Sequence, residues 1–297
     1  MTTTIDNITS GKFLPHSAVD KGSPLNKVRA QTNPAFATQT DDFELPGKFE
    51  YYTNDSLERF NQNLQLMPPS WPYRQKKVVY SINKQGYRCQ DLDTVDWSNS
   101  VVMFGCSELM GTGLADDERI CYQLEHLINV PVINLGKNGT SVHFSFMNNI
   151  ALFNKCKPLG VVNQWTELFR ETSYGADRHV TALPDYTKYW TRKYNMMYKF
   201  FDFTIDDWEH NIMSTGLSFI EATRAIWKDR VAYAEATWNP VTAKEAKCKY
   251  IEQIDDARDI YKGGDMFEDS IIGHLGPKTA KQYAEYYAEQ LNLYRLF

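Results

Sequence analysis

No apolar run in the sequence approaches the roughly 18 to 20 residues that span a bilayer, so a membrane is not expected as a partner. Dense basic runs are missing too, and the formal net charge is -5. Nothing here is suited to track a phosphate backbone, which excludes nucleic acid as the expected partner. Cysteine is scarce and scattered: Cys89, Cys106, Cys121, Cys156 and Cys248, with no CxxC pair. An odd, dispersed set argues against a disulfide framework or a zinc knuckle and reads as free thiols. His126, His143, His179 and His210 share no metal-ligand spacing, so neither metal nor cofactor is expected. The opening stretch, MTTTIDNITSGKF, lacks the charged-then-apolar pattern of a secretory signal. Cytoplasmic synthesis without a signal peptide is the expectation.

Proline is sparse except at one end. Seven of the 12 prolines (Pro15, Pro24, Pro34, Pro46, Pro68, Pro69 and Pro72) fall within residues 1–75, and only 56–66 reads as a helix there. Such a segment cannot bury enough apolar surface by itself. We read 1–75 as an extended N-terminal arm that docks onto a protein partner in an assembly. The docking contacts would be short clusters such as Phe43-Glu44-Leu45-Pro46 and Met67-Pro68-Pro69-Ser70-Trp71. In the alternative reading the arm wraps its own domain and stabilises it.

Residues 76–297 read as one α/β domain. Short apolar runs at 78–82, 100–104 (SVVMF), 131–135 (PVINL) and 159–163 (LGVVN) predict strands, and 116–129 and 277–293 predict helices. Strand, helix, strand with buried strands predicts a three-layer α/β/α sandwich around a parallel sheet of about five strands. Aromatic residues reach 14% of the chain, and many cluster in 174–240 at helical spacing (Tyr186, Tyr189, Trp190, Tyr194, Tyr198). That stretch reads as a helical insertion packed on the sheet, or alternatively as a sugar-stacking cleft.

Chemistry concentrates where a buried strand ends in a turn. After 100–104 comes Gly105-Cys106-Ser107-Glu108-Leu109-Met110-Gly111-Thr112-Gly113. Ser107 would project near a helix N-terminus, whose dipole favours a developing oxyanion. At the far end His274 sits in a loop leading into the last helix, with Asp269 five residues before it and Asp259 fifteen. An acid held against the imidazole fixes its tautomer and steadies the cation formed on proton transfer. Cys106 reads as a buried packing residue instead of a rival nucleophile.

Taken together these stretches resemble the SGNH/GDSL hydrolase family, whose fold is flavodoxin-like. Its first block is similar to Gly105-Cys106-Ser107 with Gly111-Thr112-Gly113. The second resembles Asn134-Leu135-Gly136-Lys137-Asn138-Gly139, and the fifth resembles the Asp269 to His274 region. Upstream, Asn83-Lys84-Gln85-Gly86-Tyr87-Arg88 looks like the lead-in found in many bacterial and phage members. The resemblance implies Ser107 as nucleophile, His274 as general base, and the N–H groups of Ser107 and Gly139 as an oxyanion hole. It implies Asp269 as the acid, with Asp259 as the alternative if an insertion separates the acid from His274.

Two departures stand out. The family's third block places an Asn donor where this chain has Glu167, which leaves Thr166, Gln164 or Asn163 as substitutes. Its acid also stands three residues before the histidine, and here that position is Ile271. The implied activity is a serine esterase acting on O-acyl groups, such as acetyl groups of a surface polysaccharide. The similarity to forms encoded by tailed phages implies a virion-associated component. The rival reading is a structural virion protein that keeps the fold with little activity, and acyl transfer to a sugar is a third.

Overall fold

In the computed structural model, residues 46–52, 55–174, 179–182, 205–262 and 271–293 are described. The first elements are β1 (Gly47–Phe49), α1 (Leu57–Leu66) and β2 (Tyr80–Ile82). Then come β3 (Val101–Phe104), α2 (Ser107–Met110), α3 (Ile120–Ile128), β4 (Val132–Asn134), α4 (Val142–Phe153) and β5 (Gly160–Trp165). A hairpin of β6 (Glu171–Tyr174) and β7 (His179–Ala182) precedes the long helix α5 (Ile205–Trp227), followed by β8 (Ala232–Thr237), α6 (Pro240–Ala246) and β9 (Lys249–Tyr250). A second hairpin, β10 (Tyr261–Lys262) with β11 (Ile271–Ile272), leads to α7 (Pro277–Leu291).

The expected α/β architecture is present: a five-stranded sheet in the order β4-β3-β5-β8-β9, with every pairing parallel. Side-chain alternation explains its two covered faces. Val101 and Met103 of β3 join Ile120, Leu124, Tyr283 and Tyr287 from α3 and α7 in one core. Val102 and Phe104 point the other way, into a second core with Leu152 of α4 and Trp227 of α5. These are the three layers of an α/β/α sandwich. The connection after β3 runs over one face, while those after its neighbours β4 and β5 run over the other. A crevice therefore opens at the carboxyl end of β3, the switch point where such folds place their chemistry.

Two boundaries differ from the sequence reading. Residues 174–240 are not all an inserted helical unit. Ala232–Thr237 is the fourth strand of the central sheet, paired along its whole length with β5, and α5 is the crossover helix before it. The tyrosine run at 186–198 lies outside the described residues.

The second difference is at the other end. Within 1–75, the described part from 46 onward is built into the domain. Here β1 pairs with β2 apart from the central sheet. Tyr52, Trp71 and Tyr73 are buried with Tyr80, Ile82, Met110 and Ile260 in a third core. Proline shaped this segment without keeping it off the domain. Pro72 opens a single 3-10 turn, and the aromatic rings supply the buried area that regular structure does not. Trp71, expected to face a partner, packs on Phe60 and Tyr73 of its own chain.

Candidate active site

Ser107 comes after β3 and the Gly105-Cys106 turn, as the first residue of α2, and is buried but not sealed, at 7% exposure. Gly105 lets the chain turn here, because a Cβ on it would lie 2.9 Å from that of Leu109. At four residues, α2 is a single turn, so its dipole is small and individual N–H groups matter more.

The loop after β4 locks onto this turn. Asn134 Nδ2 donates to Leu109 O at 2.8 Å, and its Oδ1 accepts from Gly136 N at 2.9 Å. Lys137 N donates to Gly105 O at 3.2 Å, and Thr112 Oγ1 to Asn138 Oδ1 at 2.7 Å. Gly139, at φ +64°, is exposed, with nothing within 4 Å of where a Cβ would begin. Its backbone faces open space beside this junction.

The lead-in motif acts as a bracket. Asn83 Oδ1 accepts from Gln85 N and Tyr87 N, closing a turn that sends Arg88 inward. The buried Arg88 guanidinium then donates to Gly111 O at 2.6 Å and Leu114 O at 2.8 Å. It fixes both ends of the Gly-x-Gly loop.

On the opposite side, His274 Nδ1 meets Asp259 Oδ2 at 2.5 Å. Asp259 is fully buried, and the His274 side chain is 14% exposed. The second hairpin brings them together. Tyr261 pairs with Ile272, and extending that antiparallel register two residues outward on each strand sets Asp259 across from His274. Residues 263–270, Asp269 among them, lie outside the described residues. Among the described residues, the acid in contact with His274 is therefore Asp259, the alternative of the sequence reading.

Glu108 joins the two sides. This residue follows Ser107, and its Oε2 accepts from the N–H of Leu275, the residue after His274, at 2.9 Å. The charges around the imidazole oppose its burial. Burial alone would lower its pKa, but Asp259 and Glu108 outweigh that and the nearby Arg170 cation, and raise it to about 9.

The loop after β5 holds the third-block departure. Glu167 is buried, and Arg170 is paired to it, with Nη2 donating to Oε1 at 3.0 Å. Thr166 Oγ1 donates to Glu167 Oε2 at 2.6 Å, so this hydroxyl is engaged away from any oxyanion. Gln164 is fully buried within β5, on the face of Tyr283, and Asn163 Oδ1 accepts from Asn149 Nδ2 on the opposite face. Of the three expected substitutes, Thr166 alone has its donor engaged, while Asn163 Nδ2 and Gln164 Nε2 are buried without a hydrogen-bond acceptor.

A ring of long-range bonds backs the acid. Buried Arg258 forks the Asp55 carboxylate, with Nε to Oδ1 at 3.0 Å and Nη2 to Oδ2 at 2.6 Å. Tyr80 Oη donates to Asp55 Oδ2 at 2.6 Å and accepts from Gly113 N at 2.7 Å, while Arg258 N donates to Gly113 O at 3.1 Å. Gly113, at φ +76°, has no room for a side chain, since a Cβ would sit 2.7 Å from Asp259 Oδ1. Glu108, Arg170 and Asp55 escaped the sequence reading. A carboxylate in a first helical turn ordinarily reads as complementing the dipole, and nothing local marks Asp55 as the partner of a residue 203 positions away.

No family model matches the chain, and no curated protein does. Solved structures that it resembles include a member of the lipolytic protein G-D-S-L family from Veillonella parvula. That one is 12% identical over 64% of this chain and 96% of the other, with a TM-score of 0.34. Another is an acetyl xylan esterase from the rumen bacterium Butyrivibrio proteoclasticus, 9% identical over 73% and 68%, with a TM-score of 0.38. A third is a carbohydrate esterase family 2 enzyme with a carbohydrate-binding domain from Corynascus thermopiles, 11% identical over 67% of each chain, with a TM-score of 0.35. Likeness at this level carries no weight of its own.

Proposed function

We propose that the chain is an SGNH-type ester hydrolase, with Ser107 as nucleophile, His274 as general base and Asp259 as the acid that orients it. The observation that carries this reading is the 2.5 Å contact of His274 Nδ1 with buried Asp259, on a loop that the Leu275 N–H ties to Glu108, the residue after Ser107. Nδ1–H donates to the carboxylate, which leaves Nε2 to exchange the proton. Ser107 Oγ attacks the acyl carbon as its proton passes to Nε2, and the N–H groups of Ser107 and Gly139 donate to the tetrahedral oxyanion. Collapse expels the alcohol, which takes the proton from Nε2. Water then attacks the acyl-serine by the same route in reverse and frees the acid.

The finer reading is O-acetyl groups on a surface polysaccharide, trimmed by a particle-borne enzyme. The first-block and lead-in motifs and the aromatic content support it. Glu167 at the third donor position supports the rival, a weakly active or inactive structural protein of such a particle. Pairing with Arg170 and Thr166 lessens the repulsion that a bare carboxylate would exert there.

A fluorophosphonate probe at about pH 9, where more of the imidazole is neutral, tests the reading. The reading expects one covalent adduct, on the peptide carrying Ser107, absent from Ser107→Ala. A folded chain that takes no adduct, or takes it elsewhere, favours the structural reading.

A further inference from the structure

Glu108 has no part in the steps above, yet it stands between the proposed nucleophile and base. Its side chain is buried, it follows Ser107 in the same helical turn, and it binds the peptide N–H that follows His274. A tether alone would need only a neutral acceptor, and an ionised carboxylate is costly to bury unless a charge compensates it.

We propose that Glu108 is a positioning residue, which fixes the His274 loop through Leu275 N–H and acts with Asp259 as a second negative charge favouring the imidazolium. The proposal rests on His274 being the base. The groups facing the imidazole are Asp259, Glu108 and the Arg170 cation. Those facing Glu108 are His274, Asp259 and Glu167, with Arg170, Cys106 and Tyr283 also close. Burial pushes the Glu108 carboxyl up, and Asp259 and Glu167 add to this. The His274 charge and the Leu275 N–H pull it back.

A neutral imidazole must accept the Ser107 proton, and the cation it becomes must then be stabilised. A second carboxylate helps the later state and opposes the earlier one, so its removal has a signature that a structural defect lacks. Glu108→Gln keeps an oxygen for Leu275 N–H and removes the charge.

The experiment follows the His274 ring protons by NMR against pH, and p-nitrophenyl acetate turnover over the same range, in wild type and Glu108→Gln. The expected result is a midpoint lower by about one unit in the variant, the low end of what a neighbouring opposite charge does. The acidic limb of kcat/KM should move with it and the alkaline plateau should fall several-fold, so that the two profiles cross. An unmoved imidazole midpoint in the folded variant overturns the proposal and reduces Glu108 to a tether. Should Glu108→Gln not fold, the reciprocal measurement decides. The Glu108 carboxyl carbon must titrate higher in His274→Gln than in wild type, and equal midpoints overturn the proposal. Wild type without ester turnover but with the imidazole shift intact would overturn the esterase reading and leave the Glu108–His274 coupling standing.

Discussion

The two sides of the crevice are held by different means. On the Ser107 side the bonds are local: Ser107 O to the N–H groups of Gly111 and Thr112, and Gly105 O to Lys137 N, all within about thirty residues. On the Asp259–His274 side the support comes from the far end of the chain, through Asp55 and through Asn63 Nδ2, which donates to Arg258 O at 3.0 Å. The Ser107 turn is short and sterically defined, so nearby residues can build it. The proposed acid–base pair stands at the base of a hairpin of two short strands and needs an outside wall.

The largest effect expected from breaking this arrangement is at the acid. Asp259→Asn keeps the shape but lets the amide favour the wrong tautomer, and ester turnover should fall by about 10⁴-fold. Asp269→Asn should change it by less than about twofold. Steady-state assays on both variants check this, and the opposite ranking would return the role to Asp269.

Next in size is the outside wall. Asp55→Asn leaves Arg258 buried without its counter-ion, since the two side chains are 1% and 2% exposed. Removing one partner of such a pair costs about 3 to 5 kcal/mol. Chemical denaturation should show that loss, with much less from any single bond on the Ser107 side. If Asp55→Asn unfolds no more easily than Thr112→Val, the contrast between the two sides is wrong.

How much of this could be read beforehand follows the same division. The strands of SVVMF, PVINL and LGVVN were legible because a parallel strand buried on both faces is a continuous apolar run. Ala232–Thr237 was not, since Ala-Tyr-Ala-Glu-Ala-Thr has neither that run nor strong β-branching. Alanine favours helix, and only pairing with β5 makes the segment a strand. Ser107 and His274 stand out in the sequence as motif residues. The sequence offers two candidates for the acid, because spacing alone does not tell that 261–262 pairs with 271–272 and so sets Asp259 across from His274. Asp55 was not legible at all, as prolines nearby made its segment look detached.

A third expectation sharpens the comparison through pH. The folded His274 pKa, raised from 6.5 to about 9, makes the protonated imidazole a stabilising group. That contribution is complete below the unfolded value of about 6.5 and is lost as pH rises through about 9. Activity should run the other way over the same window, because the base must be neutral. The Tm advantage of wild type over His274→Gln should therefore shrink from pH 6 to pH 10 while turnover climbs. A constant Tm difference would mean that the carboxylates do not raise the imidazole.

The smallest effect tests the Ser107 side itself. Thr112 is fully enclosed, and its hydroxyl donates to Asn138 Oδ1 at 2.7 Å, tying the Gly-x-Gly loop to the loop that carries Gly139. Thr112→Val preserves volume and β-branching and removes only that donor, so the stability loss should be about 1 kcal/mol. Redundancy explains why it should be no larger: Arg88 still holds Gly111 O and Leu114 O, and Lys137 N still reaches Gly105 O. Catalysis should be more sensitive than stability, because Gly139 has no side chain to anchor it and depends on its neighbours for position. A fall in kcat with KM unchanged is expected, since the N–H of Gly139 would bind the oxyanion more strongly than the ground-state carbonyl. An effect confined to KM would instead assign the loop to substrate binding and remove Gly139 from the oxyanion hole.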